Sequence, residues 1–225
     1  MDEELISLLL ELYKSRQHDL SVFMNSVADT IGLHPDLNKA GAEAIHSHKR
    51  RLKDPAHLAE KLRRKTSDGS EINEDNFFNL VTDLAGVRVL HLFQDAFGEI
   101  DAVIRRKISD GDWALGERPK AYTWDPDSAR YFNTFDLDVS QKATAYTSVH
   151  YLIRPRSDSP LCCELQVRTL FEEIWGEVDH RINYPTPSVD VACREQILVL
   201  SKVVGAGSRL LDSLNRVYKL SQDQE

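Results

Sequence analysis

Apolar residues recur at helical spacing over the first thirty residues. Leu5, Leu8, Leu9, Leu12 and Tyr13 open the stripe, and Leu20, Phe23, Val27 and Ile31 continue it. That period predicts one long amphipathic helix, stopped by Gly32-Leu-His-Pro35. Over residues 38–53 the pattern fades, and the stretch reads as helical or irregular. Asp54-Pro55 then supplies an N-cap followed by proline at the first helical position. The helix so started turns Leu58 and Leu62 inward and Lys61, Arg63, Arg64 and Lys65 outward. A short helical piece over residues 75–81 leads to GVRVLHLF (86–93), an apolar run that predicts a buried strand with Asp83 just ahead of it. Asp95 reads as the cap of a further helix whose apolar stripe is Phe97, Ile100, Val103 and Ile104.

Residues 109–142 hold Gly111, Gly116, Pro119, Pro126 and several aromatics; strand is an option for part of the stretch, but its length and lack of periodicity predict a functional or mobile loop region. Period-two alternation then returns twice. Residues 146–154 place Tyr146, Ser148, His150 and Leu152 on one face, and residues 161–169 place Glu164, Gln166 and Arg168 on one face against Cys163, Leu165 and Val167. A helix follows over residues 169–182. Pro185 and Pro187 separate it from a last amphipathic helix over residues 191–220. The element order predicts a mixed α/β (α+β) domain, a small mixed β-sheet flanked by helices. We divide the chain into an N-terminal helical segment (1–37), a central domain (38–187) and a C-terminal helix (188–225).

Composition narrows the class. With 225 residues, 41% of them hydrophobic, the chain can bury a sizeable core. A formal net charge of -8 argues against a general nucleic-acid coat. The 28 basic residues are uneven, however: Lys49, Arg50, Arg51, Lys53, Lys61, Arg63, Arg64 and Lys65 fall within seventeen positions. Three cysteines without a CxxC pair, an acidic N-terminus and no apolar run of ~20 residues predict a cytoplasmic protein with no membrane span. No GxGxxG or GxxxxGKS sequence occurs.

If the strands bearing Arg88, His150 and Glu164 lie side by side, two carboxylates, several cations and the Tyr146 ring converge on one surface. Two carboxylates without a thiolate or histidine cluster suit a hard cation such as Mg²⁺ carried with a polyphosphate. Arg and Lys would hold the remaining phosphate charge. Taken singly, each of these residues is also an ordinary solvent-face or capping residue; their joint arrangement is what points to a site.

Four segments carry a family resemblance: HKRRLKDPAHLAEKLRRK (48–65), VTDLAGVRV (81–89), AYTSVHYLI (145–153) and ELQVRT (164–169). In order and spacing they resemble the synthetase domain of the RelA/SpoT family, over roughly residues 40–185. The resemblance implies a nucleotidyltransferase-like fold of the small alarmone synthetase type. It also implies transfer of the β,γ-diphosphate of ATP to the 3′-hydroxyl of GDP or GTP with Mg²⁺. Carried over by motif, Arg51, Lys53, Lys61 and Arg64 fall on the ATP side, with Arg88 against adenine. Asp83 and Glu164 match the Mg²⁺ ligands, and Glu164 also the base at the acceptor hydroxyl. Lys142, Tyr146, His150 and Gln166 fall on the acceptor side, Tyr146 as the guanine-stacking ring. Many members carry Asn-Gly where this chain has Thr144-Ala145, which keeps an adenine nucleotide or a tRNA end open as acceptor. A silent nucleotide-binding module is the remaining alternative. His18-Asp19, on an amphipathic helix, lacks the acidic pair of the family's hydrolase site. The apolar last helix and the habit of small synthetases imply a homo-oligomer, a tetramer.

Overall fold

The leucine-rich stripe folds as one helix, α1 (Glu3–Gly32), in the computed structural model, which describes residues 3–142, 144–183 and 188–222. Its apolar face, including Leu9, Tyr13, Leu20, Val27 and Ile31, is buried within the main core. On that helix the Tyr13 hydroxyl donates to the backbone carbonyl of Lys53 at 2.7 Å.

The basic stretch that follows departs from expectation. Ser47–Leu52 is a strand, β1, paired antiparallel with β2 (Ala85–His91), so that Lys49 faces Arg88 and Arg51 faces Gly86. It stands at the edge of the sheet. Edge strands are commonly kept from pairing with other chains by charged side chains, and a run of Lys and Arg on both faces erases the period-two signal. Between them lie α2 (Pro55–Ser67), capped by Asp54 Oδ1 at the amides of Ala56 and His57, and the short α3 (Phe77–Leu80). Lys61 does not face outward with its basic neighbours. Its stem lies half-buried and its ammonium sits 2.7 Å from Asp83 Oδ1.

Asp95 is not a helix cap. It lies inside a 3₁₀ turn, Gln94–Ala96, that precedes α4 (Phe97–Ser109), and its carboxylate pairs with Arg216 at 2.8 Å. The region read as loop is ordered chain: β3 (Ala114–Leu115), β4 (Lys120–Thr123), α5 (Pro126–Phe132) and β5 (Asp138–Gln141). Strands of two to four residues are too short to display an alternation, which is why composition dominated their reading. The two strands with clear alternation are β6 (Ser148–Arg154) and β7 (Cys163–Thr169), followed by α6 (Leu170–Asn183) and α7 (Val191–Gln222). Pro185 and Pro187, expected between those helices, lie outside the described residues.

The strands form one mixed sheet in the order β1-β2-β7-β6-β4-β5, with β3 on β6. Strands β2 and β7 run parallel and β6 and β7 antiparallel, so the three strands expected to adjoin do so, with β7 in the middle. One face sends Val87, Val89, Val149, Tyr151, Ile153, Leu165 and Val167 into the core. The opposite face carries Arg88, His150, Glu164 and Gln166. Cys162 and Cys163 are buried free thiols. No helix among the described residues is long and apolar enough to cross a membrane.

His91 closes β2 at 2% exposure, with Nδ1 donating to the Phe93 carbonyl at 2.7 Å. Burial lowers its pKa from 6.5 to about 4, against the smaller opposing effect of that hydrogen bond. The native protein therefore binds fewer protons here than the unfolded chain, and the stability His91 contributes above pH 6.5 is lost as pH falls toward 4. Urea unfolding at pH 7 and pH 4 should show His91→Asn losing less stability than wild type on acidification. The difference should approach ~3 kcal/mol, and equal losses would refute a neutral buried ring.

Candidate active site

The polar face of β1, β2 and β7 forms the floor of a cavity of about 670 Å³, and α6 forms its wall. Strand register assembles the floor. Gly86 sits between Arg51 on β1 and Glu164 on β7, while Arg88 sits between Lys49 and Gln166. Having no side chain, Gly86 leaves the space between Arg51 and Glu164 open. Arg51 lines the cavity and, among the described residues, engages no carboxylate.

Asp83 stands just ahead of β2, clasped by Lys53 at Oδ2 (2.9 Å) and Lys61 at Oδ1 (2.7 Å). Burial would raise its pKa, but the two ammonium groups outweigh it and hold the carboxyl below its ordinary value. Glu164 shows the same balance. Burial works to raise its pKa, and His150 and Gln166 together bring it below the usual range. Its Oε1 lies 3.2 Å from His150 Nδ1, and its Oε2 accepts from Gln166 Nε2 at 2.7 Å. Among the described residues no three His, Cys, Asp or Glu side chains gather as a metal site. Asp83 and Glu164 nevertheless offer hard oxygen donors at one cavity. That donor set fits a Mg²⁺ ion that takes its remaining ligands from water and phosphate.

The wall is electrostatic. Glu173, on the first turn of α6, is buried and receives Lys49 at 3.0 Å, Arg88 at 2.9 Å and the buried guanidinium of Arg168. Burial pushes its pKa up, and Arg168, Lys49 and Arg88 bring it down further than that. Arg88 also meets Glu177 at 3.2 Å. Arg168 lies 5.8 Å from the centre of the Tyr146 ring, a cation–π distance. Gly176 gives it room, since a Cβ there would stand 2.8 Å from Arg168 Nη1. The position of α6 is set by a capping box: Thr169 Oγ1 accepts from the Glu172 amide and Glu172 Oε2 from the Thr169 amide. Trp175 Nε1 donates to the Ile197 carbonyl at 3.1 Å, which joins α6 to α7.

Of the residues singled out from sequence, Arg51, Asp83, Arg88, Tyr146, Glu164 and Gln166 line the cavity. Lys53 and Lys61 border it through Asp83. His150 lies behind the lining, bonded to both Tyr146 and Glu164. Lys142 is exposed outside the lining, its ammonium 4.4 Å from the centre of the Tyr122 ring. Arg64 is exposed on α2, also outside the lining. Sequence reasoning put Lys49 in the basic cluster and Arg168 on the face of Glu164 and Gln166 without giving either a site role, and it missed Glu173. The first two were legible as partners by alternation of Arg51 and Gln166. Glu173 had no such signal, because nothing local shows which carboxylate of a Glu-Glu pair turns inward.

The pattern of the region found in RelA / SpoT proteins matches residues 50–188. Among solved structures, a GTP pyrophosphokinase family protein from Streptococcus pneumoniae is similar at 16% identity and a TM-score of 0.71, covering 95% of this chain and 97% of that one. The small alarmone synthetase 1 from Bacillus subtilis is similar at 17% identity and a TM-score of 0.68, with 95% and 99% covered. The same synthetase bound to its product pppGpp gives 19% identity, a TM-score of 0.60, and 98% and 100% covered. These likenesses establish the fold, which is the synthetase fold expected. No curated protein sequence matches.

Removing the acceptor from a buried guanidinium leaves an uncompensated charge. Glu173→Ala should therefore cost ~3–5 kcal/mol in urea unfolding. A loss below ~1 kcal/mol would show that Arg168 finds another partner or water.

Proposed function

The chain belongs to the RelA/SpoT family, and on that premise we propose that it transfers the β,γ-diphosphate of ATP to the 3′-hydroxyl of GDP or GTP, making (p)ppGpp and releasing AMP. The observation that carries this reading is the pairing of Asp83 and Glu164 on one open floor, ringed by cations from β1, β2 and α2. A binding module has little use for two such carboxylates beside the cations that would hold its ligand. The product named for the similar Bacillus subtilis synthetase, pppGpp, supports a guanine nucleotide acceptor.

Each residue then has a task. Arg51, Lys53, Lys61 and Arg88 hold the donor's phosphates and base, with Arg64 at the outer end of α2. The Tyr146 ring seats the guanine, Gln166 meets the acceptor from the floor, and Lys142 approaches its phosphates from the Tyr122 side. Asp83 and Glu164 would hold Mg²⁺, which supplies charge neutralisation and polarises the phosphoryl group under attack. The acceptor 3′-oxygen bonds to the β-phosphorus as the bond to the α-phosphate oxygen breaks. Its proton passes to Glu164, kept ionised by the His150 and Gln166 contacts. The cavity's cations meet the charge that gathers on the transferred group.

Association of copies belongs to the same proposal. Val199, Val203, Leu210, Leu214 and Val217 lie exposed along one face of α7, and light scattering should read a multimer that Leu210→Glu weakens.

The activity test is direct. With γ-³²P-ATP and, in parallel, GDP, GTP, adenine nucleotides or tRNA, label should appear in guanosine tetra- or pentaphosphate. Label in an adenine nucleotide or tRNA would move the acceptor, and no transfer would leave a silent module. Glu164→Gln should lower turnover by at least ~100-fold while nucleotide affinity stays near wild type. Normal turnover in that variant would remove Glu164 from the chemistry.

A further inference from the structure

The cations read as holding the donor stand mostly on β1 and α2, and α1 fastens both elements beside them. Arg50 Nη1, next to Arg51, donates to Asn25 and to Asp29 at 3.1 Å each. Tyr13 donates to the carbonyl of Lys53 itself. Arg63, next to Arg64, donates to both carboxylate oxygens of Glu3 at 2.9 and 2.8 Å. Leu58 and Leu62 of α2 share one buried core with Leu9 and Tyr13 of α1.

The acceptor side has a different backing. Trp175 on α6 is buried with Ile197 and Val204 of α7, and Tyr146 packs against that cluster. Trp175 lines the active-site cavity on one side and a small crevice under α7 on the other. Ala145 and Thr147, which flank Tyr146, line the same crevice. The hydroxyls of Thr147 and Thr123, both buried, lie 3.1 Å apart, and the Thr123 carbonyl accepts from the Lys142 amide at 2.8 Å. One threonine pair therefore ties together the segments that carry Tyr146 and Lys142. Just beyond Thr123, Arg209 of α7 reaches Asp125, the N-cap of α5, at 2.6 Å.

The buried positions of α7 are Ile197, Ser201, Val204, Ser208 and Asp212. The apolar ones fall where the helix lies behind Trp175 and Tyr146. Close apolar packing fixes a ring's place more tightly than polar contacts through water, because any gap forfeits contact. We propose that the first and last helices divide the cavity between them. On this proposal α1 positions the donor's cations and α7 positions the acceptor's seat, with Val204 and Arg209 as positioning residues that do not line the cavity. The inference rests on the donor and acceptor sides as read above. It adds that each side's affinity is set from behind by its own helix.

The test compares two dissociation constants, for GDP and for a non-hydrolysable ATP analogue, each measured alone by calorimetry on the intact protein. Val204→Ala opens a gap behind Tyr146 and should raise the GDP constant by ~10-fold, the order of what stacking a base is worth. The analogue's constant should stay within ~2-fold of wild type. Arg209→Ala should act in the same direction, and Arg209→Lys, which keeps a cation for Asp125, should recover most of the loss. Tyr13→Phe should do the reverse, weakening the analogue and sparing GDP. A general loosening of the fold moves both constants together, so equal changes, or no change in either, would overturn the division. A wild type that binds neither nucleotide would defeat the functional reading instead. The packing is then decided without ligand, in ¹³C-tyrosine-labelled protein: Val204→Ala should shift the Tyr146 ring signals and Tyr13→Phe should not. Tyr146 signals unmoved by Val204→Ala would refute the backing by α7.

Discussion

Three cations on adjacent parts of a small surface repel one another, and the carboxylate of Glu173 is what lets this protein bring them together. Lys49 comes from an edge strand, Arg88 from the strand beside it and Arg168 from the end of β7, and all three meet on that one buried group. The contact also docks α6 on the polar face of the sheet, where apolar burial has little to offer. Cavity wall and cavity charge therefore share one origin. The helix could not be lifted without stranding the Arg168 guanidinium, which is buried as deeply as its partner.

The second pairing, Lys53 and Lys61 on Asp83, has a different character. Its members are partly exposed at 14%, 20% and 23%, so water tempers the attraction and the cost of parting them is smaller. A polyphosphate offers those ammonium groups more negative charge than one carboxylate does. The cavity in this sense carries internal counter-charges of two grades. Those at Glu173 are buried and hold the wall, and those at Asp83 are more exposed and weaker. An acidic chain can carry such a cavity because most of its 36 acidic residues lie elsewhere, which net charge alone conceals.

Much of the fold was legible because its longest elements announce themselves. The stripe of α1, the Asp54-Pro55 start of α2 and the alternation of β6 and β7 are local signals, and local signals survive into the structure. What stayed hidden depended on partners distant in sequence. Strand β1 shows no alternation because both its faces are cationic, and its nature is decided by pairing with β2. The strands between residues 109 and 142 are short and exist only as neighbours of β6 and of one another. Lys61 looked like one of several solvent-facing lysines until Asp83, twenty-two positions away, drew it inward. Within the site, residues on alternating strand faces were found by counting, whereas Glu173 required knowledge of how α6 lies on the sheet.

The hydrogen bond from Tyr13 to the Lys53 carbonyl has a practical consequence for where this chain can be cut. The family pattern begins at residue 50, inside β1 and well after α1. A fragment trimmed to that boundary would open midway along an edge strand and uncover the apolar surface that α1 shields. It would also lose the anchor at the turn from which Lys53 extends to Asp83. The family pattern marks only part of the folding unit, and the unit able to fold and stay dispersed in water has to include the thirty-residue helix ahead of it.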